Sequence, residues 1–217
     1  MISYRAVVFD LDGTLVDSRA DLATAVNLLR VEEGLPVVSV AAVGDWIGEG
    51  ARRLVEKALA ESGDEPPASA LARFLGHYES VCTASTLPFP GMHEVVAELR
   101  SRLPVALLTN KPERMTRAIV DHCGWGGWFA PLVAGDSLPF RKPDGRTLLE
   151  VAGRLGLPAG DLLLVGDSRI DAATADAAGA GFLWAEWGYA RREERHELAL
   201  RPRAASPAEL ALRLSVV

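Results

Sequence analysis

The run Val7-Val8-Phe9 ends in two carboxylates one residue apart, Asp10 and Asp12, followed by Gly13-Thr14. No other stretch limits the fold so sharply. An unbroken run of β-branched and aromatic residues suits a strand buried on both faces. In an extended segment residues i and i+2 point the same way, so Asp10 and Asp12 leave the strand tip side by side. Gly13 then permits a turn that a residue with a side chain resists. Two carboxylates that only solvated a loop would have no need of a buried strand tip. The stretch predicts a metal-assisted acid/base or nucleophilic site.

Further apolar runs have the same form. Residues 4–9, 104–109, 132–134 and 162–165 read as strands, with residues 181–184 as the last one. Helical spacing fills the intervals at 92–102, 114–123, 145–155 and 171–178. A capping box, Ser206-Pro207-Ala208-Glu209, opens a terminal helix through Leu214. Wholly apolar strands alternating with helices predict a parallel sheet covered on both faces. The expected class is α/β, a three-layer, doubly wound, Rossmann-like core. Residues 17–86 differ, with four helical patterns (21–30, 40–47, 51–61 and 70–84) and no strand signal. The predicted division is a core of residues 1–16 and 87–217 and an inserted helical cap of residues 17–86. The charged run Arg191-Arg192-Glu193-Glu194-Arg195-His196 has mixed signs and reads as a solvated helix or loop.

With 217 residues, 49% of them apolar, the chain can bury a substantial core. A net charge of −6 argues against nucleic-acid binding and requires local cations to meet any anionic substrate. Cys82 and Cys123 do not form a CxxC pair and read as reduced thiols. No apolar run is long enough for a membrane span, and the first strand begins too early for a signal peptide. A cytoplasmic protein, monomeric or homodimeric, is expected. His77, His93, His122 and His196 share no spacing, and the tryptophans, including Trp125 and Trp128, read as packing.

In open parallel sheets ligands bind at the carboxyl ends of the strands. There the sequence places Asp10 and Asp12, then Thr109-Asn110-Lys111, then Gly166-Asp167-Ser168 with Asp171 close behind; Lys142-Pro143 stands just before a helix. Two like charges ~4 Å apart repel by roughly 4 kcal/mol at an effective dielectric near 20, so such a cluster calls for a cation. All-oxygen ligands favour Mg²⁺ over zinc. Asp171 suits both this site and a helix start. Nothing resembles a Ser–His–Asp arrangement or a Walker loop.

The ordered set Asp10-x-Asp12-Gly13-Thr14, Thr109-Asn110, Lys142-Pro143 and Gly166-Asp167-Ser168-x-x-Asp171 resembles the four motifs of the haloacid dehalogenase-like hydrolase superfamily. Thr109-Asn110-Lys111, Gly48-Glu49-Gly50-Ala51-Arg52 and Gly135-Asp136-Ser137-Leu138-Pro139 resemble its phosphoglycolate phosphatase branch. The resemblance implies a Mg²⁺-dependent phosphatase acting on a small phosphorylated metabolite, 2-phosphoglycolate first. Asp10 is implied as nucleophile, and Asp12 as the acid that protonates the leaving oxygen and then takes a proton from water. Asp10, the backbone carbonyl of Asp12, Asp167 and Asp171 are implied at the metal. Gly13, Thr109, Asn110 and Lys142 are implied at the phosphoryl group. In the cap, Glu49, Arg52 and Arg53 read either as a solvated helix start or as substrate contacts. Alternatives are a β-phosphoglucomutase-like phosphomutase and a phosphatase for another sugar phosphate or a nucleotide. A metal-free haloacid dehalogenase is disfavoured by Asp12 and Asp167.

Overall fold

The computed structural model describes residues 4–62 and 65–214. Strand β1 (Ala6–Phe9) leads into a two-residue strand, β2 (Val16–Asp17). Four helices follow: α1 (Arg19–Glu32), α2 (Val40–Gly44), α3 (Ala51–Leu59) and α4 (Ala70–Val81). The chain returns through β3 (Leu87–Pro88), which pairs antiparallel with β2. Helix and strand then alternate: α5 (Met92–Arg100), β4 (Val105–Leu108), α6 (Glu113–His122), β5 (Leu132–Val133) and α7 (Arg146–Leu155). The alternation continues with β6 (Leu162–Gly166), α8 (Arg169–Ala178), β7 (Gly181–Ala185), α9 (Arg192–Leu198), β8 (Arg203–Ala204) and α10 (Pro207–Leu214).

Among the described residues, six strands form one parallel sheet in the order β5-β4-β1-β6-β7-β8. β1 lies inside it, with Val8 opposite both Ala106 and Leu164. That position explains its composition: every residue is buried, and no polar side chain is tolerated before the tip. Alternate residues feed opposite layers. Val7, Phe9, Leu107 and Val165 pack with Val96, Ile119 and Leu210 of α5, α6 and α10. Ala6, Val8, Leu108 and Leu164 pack with Leu148, Val151 and Ala175 of α7 and α8. The chain winds outward from β1 through β4 to β5, then crosses back to β6. The direction reverses at β1, and a crevice opens there at the carboxyl ends.

The helical insertion continues the first of these cores, through Leu22, Val26, Leu29, Leu54, Phe74 and Tyr78. Arg30 is fully buried inside it. Its guanidinium donates to the carbonyls of Pro36 (2.7 Å) and Ala58 and pairs with Glu61 at 2.6 Å, so the desolvated charge is met on several sides. At the neck, buried Asp21 accepts from the Ser85 N–H (2.9 Å), the Thr86 N–H (2.8 Å) and the Thr86 hydroxyl (2.7 Å). The outgoing and returning crossings are thereby tied together.

Three details depart from expectation. β7 is not the last strand, because β8 pairs with it, Arg203 opposite Trp184. β2 and β3 also escaped detection. All three are two-residue strands defined by what they pair with, and none carries an apolar run. The charged run forms α9, but it is not solvated throughout. Glu194 is buried, with Arg191 at 2.5 Å and Arg169 at 3.7 Å.

Candidate active site

Phe9 stands opposite Val165, so the residues that follow, Asp10 and Asp167, emerge into the same crevice. Asp171, in the first turn of α8, joins them. One carboxylate oxygen of each lies within 4.8 Å of the others, and all three side chains are buried. The Lys142 ammonium sits 2.8 Å from Asp10 Oδ1 and 2.6 Å from Asp171 Oδ1. Asp171 also accepts from the Ser168 N–H (3.1 Å) and hydroxyl (2.6 Å), closing a capping box on α8. The helix start and the acidic cluster therefore share one residue.

Burial pushes the Asp10 carboxyl up to about 7; Lys142 pulls against that shift, and Asp171 adds to it. Asp167 is raised well above the usual carboxylate range, first by burial and then by Asp171 and Asp10. Burial acts to lower Lys142, but Asp10 and Asp171 outweigh it and hold the ammonium above its ordinary value. Three buried carboxylates thus face one buried ammonium. A divalent cation would balance the remaining charge, and the all-oxygen donor set suits Mg²⁺.

The Asp12 side chain turns elsewhere. Ser18 Oγ donates to its Oδ1 at 2.5 Å, and Lys111 Nζ lies 3.0 Å from its Oδ2. The two aspartates of the opening motif therefore have separate electrostatic partners. The Asp12 carboxylate stands outside the acidic cluster, whereas the expected metal contact of Asp12 is through its backbone carbonyl.

Thr109 and Asn110 leave the tip of β4, both buried. Thr109 Oγ accepts the Lys111 backbone N–H at 3.2 Å. Asn110 Nδ2 donates to the Gly48 carbonyl (2.9 Å) and the Lys142 carbonyl (3.0 Å), linking the insertion to the carboxyl edge of the sheet. A cavity of about 70 Å³ lies between the two, lined on one side by Asp10, Asp12, Thr109 and Asp167 and on the other by Ile47, Glu49, Leu54, Phe74 and Tyr78. Glu49 is held at 2.6 Å by Lys57, which keeps its carboxyl below the usual range. Arg52 and Arg53 are exposed on α3 and do not line the cavity.

Gly13 is dictated by space as well as by its φ of +82°. A Cβ there would fall 2.2 Å from Asp167 Oδ2. Gly13→Ala is expected to push Asp167 aside and lower turnover by about 100-fold, while circular dichroism still reports a folded chain. Phosphate release set beside the spectrum checks this.

Three side chains of the site were not picked out from the sequence. The Tyr189 N–H donates to Asp167 Oδ2 at 2.6 Å. Its hydroxyl accepts the Ser18 N–H at 2.8 Å and donates to Asp17 Oδ1 at 2.9 Å. Tyr78 arrives from α4 with no motif around it. Lys111 belongs to a quoted motif, but nothing in the spacing paired it with Asp12.

The sequence model of the haloacid dehalogenase-like hydrolases matches residues 4–179. Phosphoglycolate phosphatase 1 of Pseudomonas aeruginosa is 42% identical over 192 residues, covering 85% of this chain and 70% of that protein. The phosphoglycolate phosphatase of Cereibacter sphaeroides is 42% identical over 197 residues, covering 88% and 89%. A crystal structure from Haemophilus somnus, described as a predicted phosphoglycolate phosphatase, has a TM-score of 0.87 at 26% identity, covering 98% of both chains. The chain belongs to the haloacid dehalogenase-like hydrolase family and is a phosphoric monoester hydrolase.

Proposed function

We propose that the protein is a Mg²⁺-dependent phosphatase that hydrolyses 2-phosphoglycolate through an aspartyl-phosphate on Asp10. The observation that carries this reading is the unequal partnering of the two aspartates. Asp10 lies among Asp167, Asp171 and Lys142, where an anionic phosphate and a cation can both be met. Asp12 stands outside that cluster, with Ser18 and Lys111 as its partners, and in this reading it handles the protons. The substrate is taken from the relatives, and the small cavity suits a leaving group of few atoms.

Asp10 and Asp167, with the Asp12 carbonyl and Asp171 in support, would hold Mg²⁺. When bound, the ion offsets the charge that otherwise keeps a carboxylate and a phosphate apart and stabilises the charge of the transition state. An Asp10 oxygen attacks phosphorus, the bond to the ester oxygen breaks, and Asp12 protonates that oxygen so that glycolate leaves. Asp12 then takes a proton from water, which attacks the phosphoaspartate; inorganic phosphate departs and Asp10 is restored. The Thr109 hydroxyl and the Asn110 backbone N–H hold phosphoryl oxygens. Lys142 neutralises Asp10 and the transferring group.

In this reading residues 1–16 and 87–217 are the catalytic core, and residues 17–86 are the cap that covers the substrate and sets its choice. Glu49 contributes to the substrate wall. We place the enzyme in the cytoplasm as a monomer or homodimer that works on a metabolite, not on nucleic acid or at a membrane; no described helix is long and apolar enough to cross a bilayer. A phosphate-release screen with Mg²⁺ over phosphoglycolate, sugar phosphates and nucleotides tests the reading. Phosphoglycolate is expected to lead in kcat/KM by about tenfold or more. A sugar phosphate or nucleotide in first place would overturn the substrate. A requirement for a sugar bisphosphate before phosphate appears would point to a mutase.

A further inference from the structure

Lys142 is taken up by Asp10 and Asp171, and a different lysine, Lys111, lines the cavity. The Lys111 side chain is 3% exposed, its ammonium lies 3.0 Å from Asp12 Oδ2, and it donates to the Tyr78 hydroxyl. The Tyr78 ring centroid is 4.4 Å from the same nitrogen, where it shields the charge from water. An ammonium has three N–H donors. The partners seen among the described residues are one carboxylate and one hydroxyl, which leaves a donor for a ligand.

The surroundings narrow what that ligand can be. The insertion side of the cavity is largely apolar, with Leu22, Ile47, Leu54 and Phe74. The other cation at the wall, Arg191, is held by Glu194 at 2.5 Å. A negative end on the leaving group therefore has Lys111 as its natural partner. Its distance along the substrate also follows. Asp12 protonates the leaving oxygen, and Lys111 touches Asp12, so the charge must lie within a carbon or two of that oxygen.

We propose that Lys111 is the specificity-determining residue of this site, pairing with a carboxylate one or two carbons beyond the ester oxygen while Tyr78 of α4 holds the ammonium in place. This rests on the phosphatase reading above and gives it a physical basis for choosing phosphorylated short-chain carboxylates over phosphorylated alcohols. A neutral substrate leaves the buried ammonium partly unmet, and that deficit supplies the discrimination.

The test compares 2-phosphoglycolate with 2-hydroxyethyl phosphate, which has the same length and a neutral end. In Lys111→Met the ratio of the two kcat/KM values is expected to fall by about 100-fold, mainly through KM for phosphoglycolate. Lys111→Arg, which keeps the charge, is expected to recover most of the ratio. A ratio unchanged in Lys111→Met, with both substrates weakened alike, overturns the assignment and leaves Lys111 as a support for Asp12. The wild-type enzyme supplies an arm independent of mutant folding: glycolate is expected to inhibit competitively, and ethylene glycol at the same concentration is not. Equal inhibition by the two overturns the assignment. A wild type that hydrolyses hydroxyethyl phosphate at least as well as phosphoglycolate overturns the substrate reading and the role of Lys111 together. A wild type that prefers phosphoglycolate, and keeps that preference in Lys111→Met, overturns the role of Lys111 alone.

Discussion

Asp10→Asn is expected to lower phosphate release by about 10⁴-fold or more without lowering thermal stability. The two outcomes have one cause. The carbonyl of the introduced amide can still face Lys142, at the position from which Asp10 Oδ1 now makes its 2.8 Å contact. An amide is a very poor nucleophile, so the covalent step is lost. At the same time one negative charge leaves a buried cluster of three. Burial already holds the Asp10 carboxyl up to about 7, which means that its ionised form is strained where it stands. Near pH 8 and without metal, the variant should melt at or above the wild-type temperature. Phosphate-release kinetics and a melting curve on one preparation check both. Turnover near the wild-type rate would end the nucleophile assignment. The expected loss of activity with a marked drop in melting temperature would mean that Asp10 contributes to the fold instead.

Chelation of divalent metal is expected to abolish turnover and to expose a pH-dependent weakness in the fold. Asp10 has a folded-state value near 7 against an ordinary 3.8. Between those values the folded chain holds a proton that the unfolded chain has released. The stability this contributes is fully present below the ordinary value and is lost as pH rises through about 7. Asp167 shifts in the same direction, also mainly through burial. The metal-free protein should therefore lose stability on going from about pH 5 to about pH 8. Millimolar Mg²⁺, which binds the ionised carboxylates, should raise the melting temperature by about 5 °C near pH 8 and by much less near pH 5. Scanning fluorimetry at the two pH values reads this directly. Equal shifts at both, or full activity after exhaustive chelation, would remove Mg²⁺ from the mechanism.

The legibility of this chain in its sequence followed a simple division. Segments that carry their own pattern were readable. β1, β4 and β6 are apolar because they are buried on both faces, and α5, α7 and α10 show their apolar stripes at helical spacing. The strand-tip residues Asp10, Thr109, Asn110 and Asp167 were readable for the same reason, since each stands where an apolar run stops. The two-residue strands were not, because Val16–Asp17, Leu87–Pro88 and Arg203–Ala204 are strands only through their neighbours. Glu194 looked like part of a solvated charge run, and only the approach of Arg169 and Arg191 makes its burial tolerable.

The sequence by itself determined that the chain is α/β, that carboxylates stand at the tips of its first and third long apolar strands, and that helices interrupt the core after the first strand, because each of these is written in local pattern and order. Only the tertiary structure decided which groups partner one another at the site. It placed β6 beside β1, so that Asp167 joins Asp10. It turned Asp12 toward Ser18 and Lys111, brought Tyr78 of α4 onto Lys111, and set Tyr189 against Asp167. These pairings join residues from distant parts of the chain, and through-space electrostatics and packing, which leave no periodic trace in the sequence, select them once the sheet has closed.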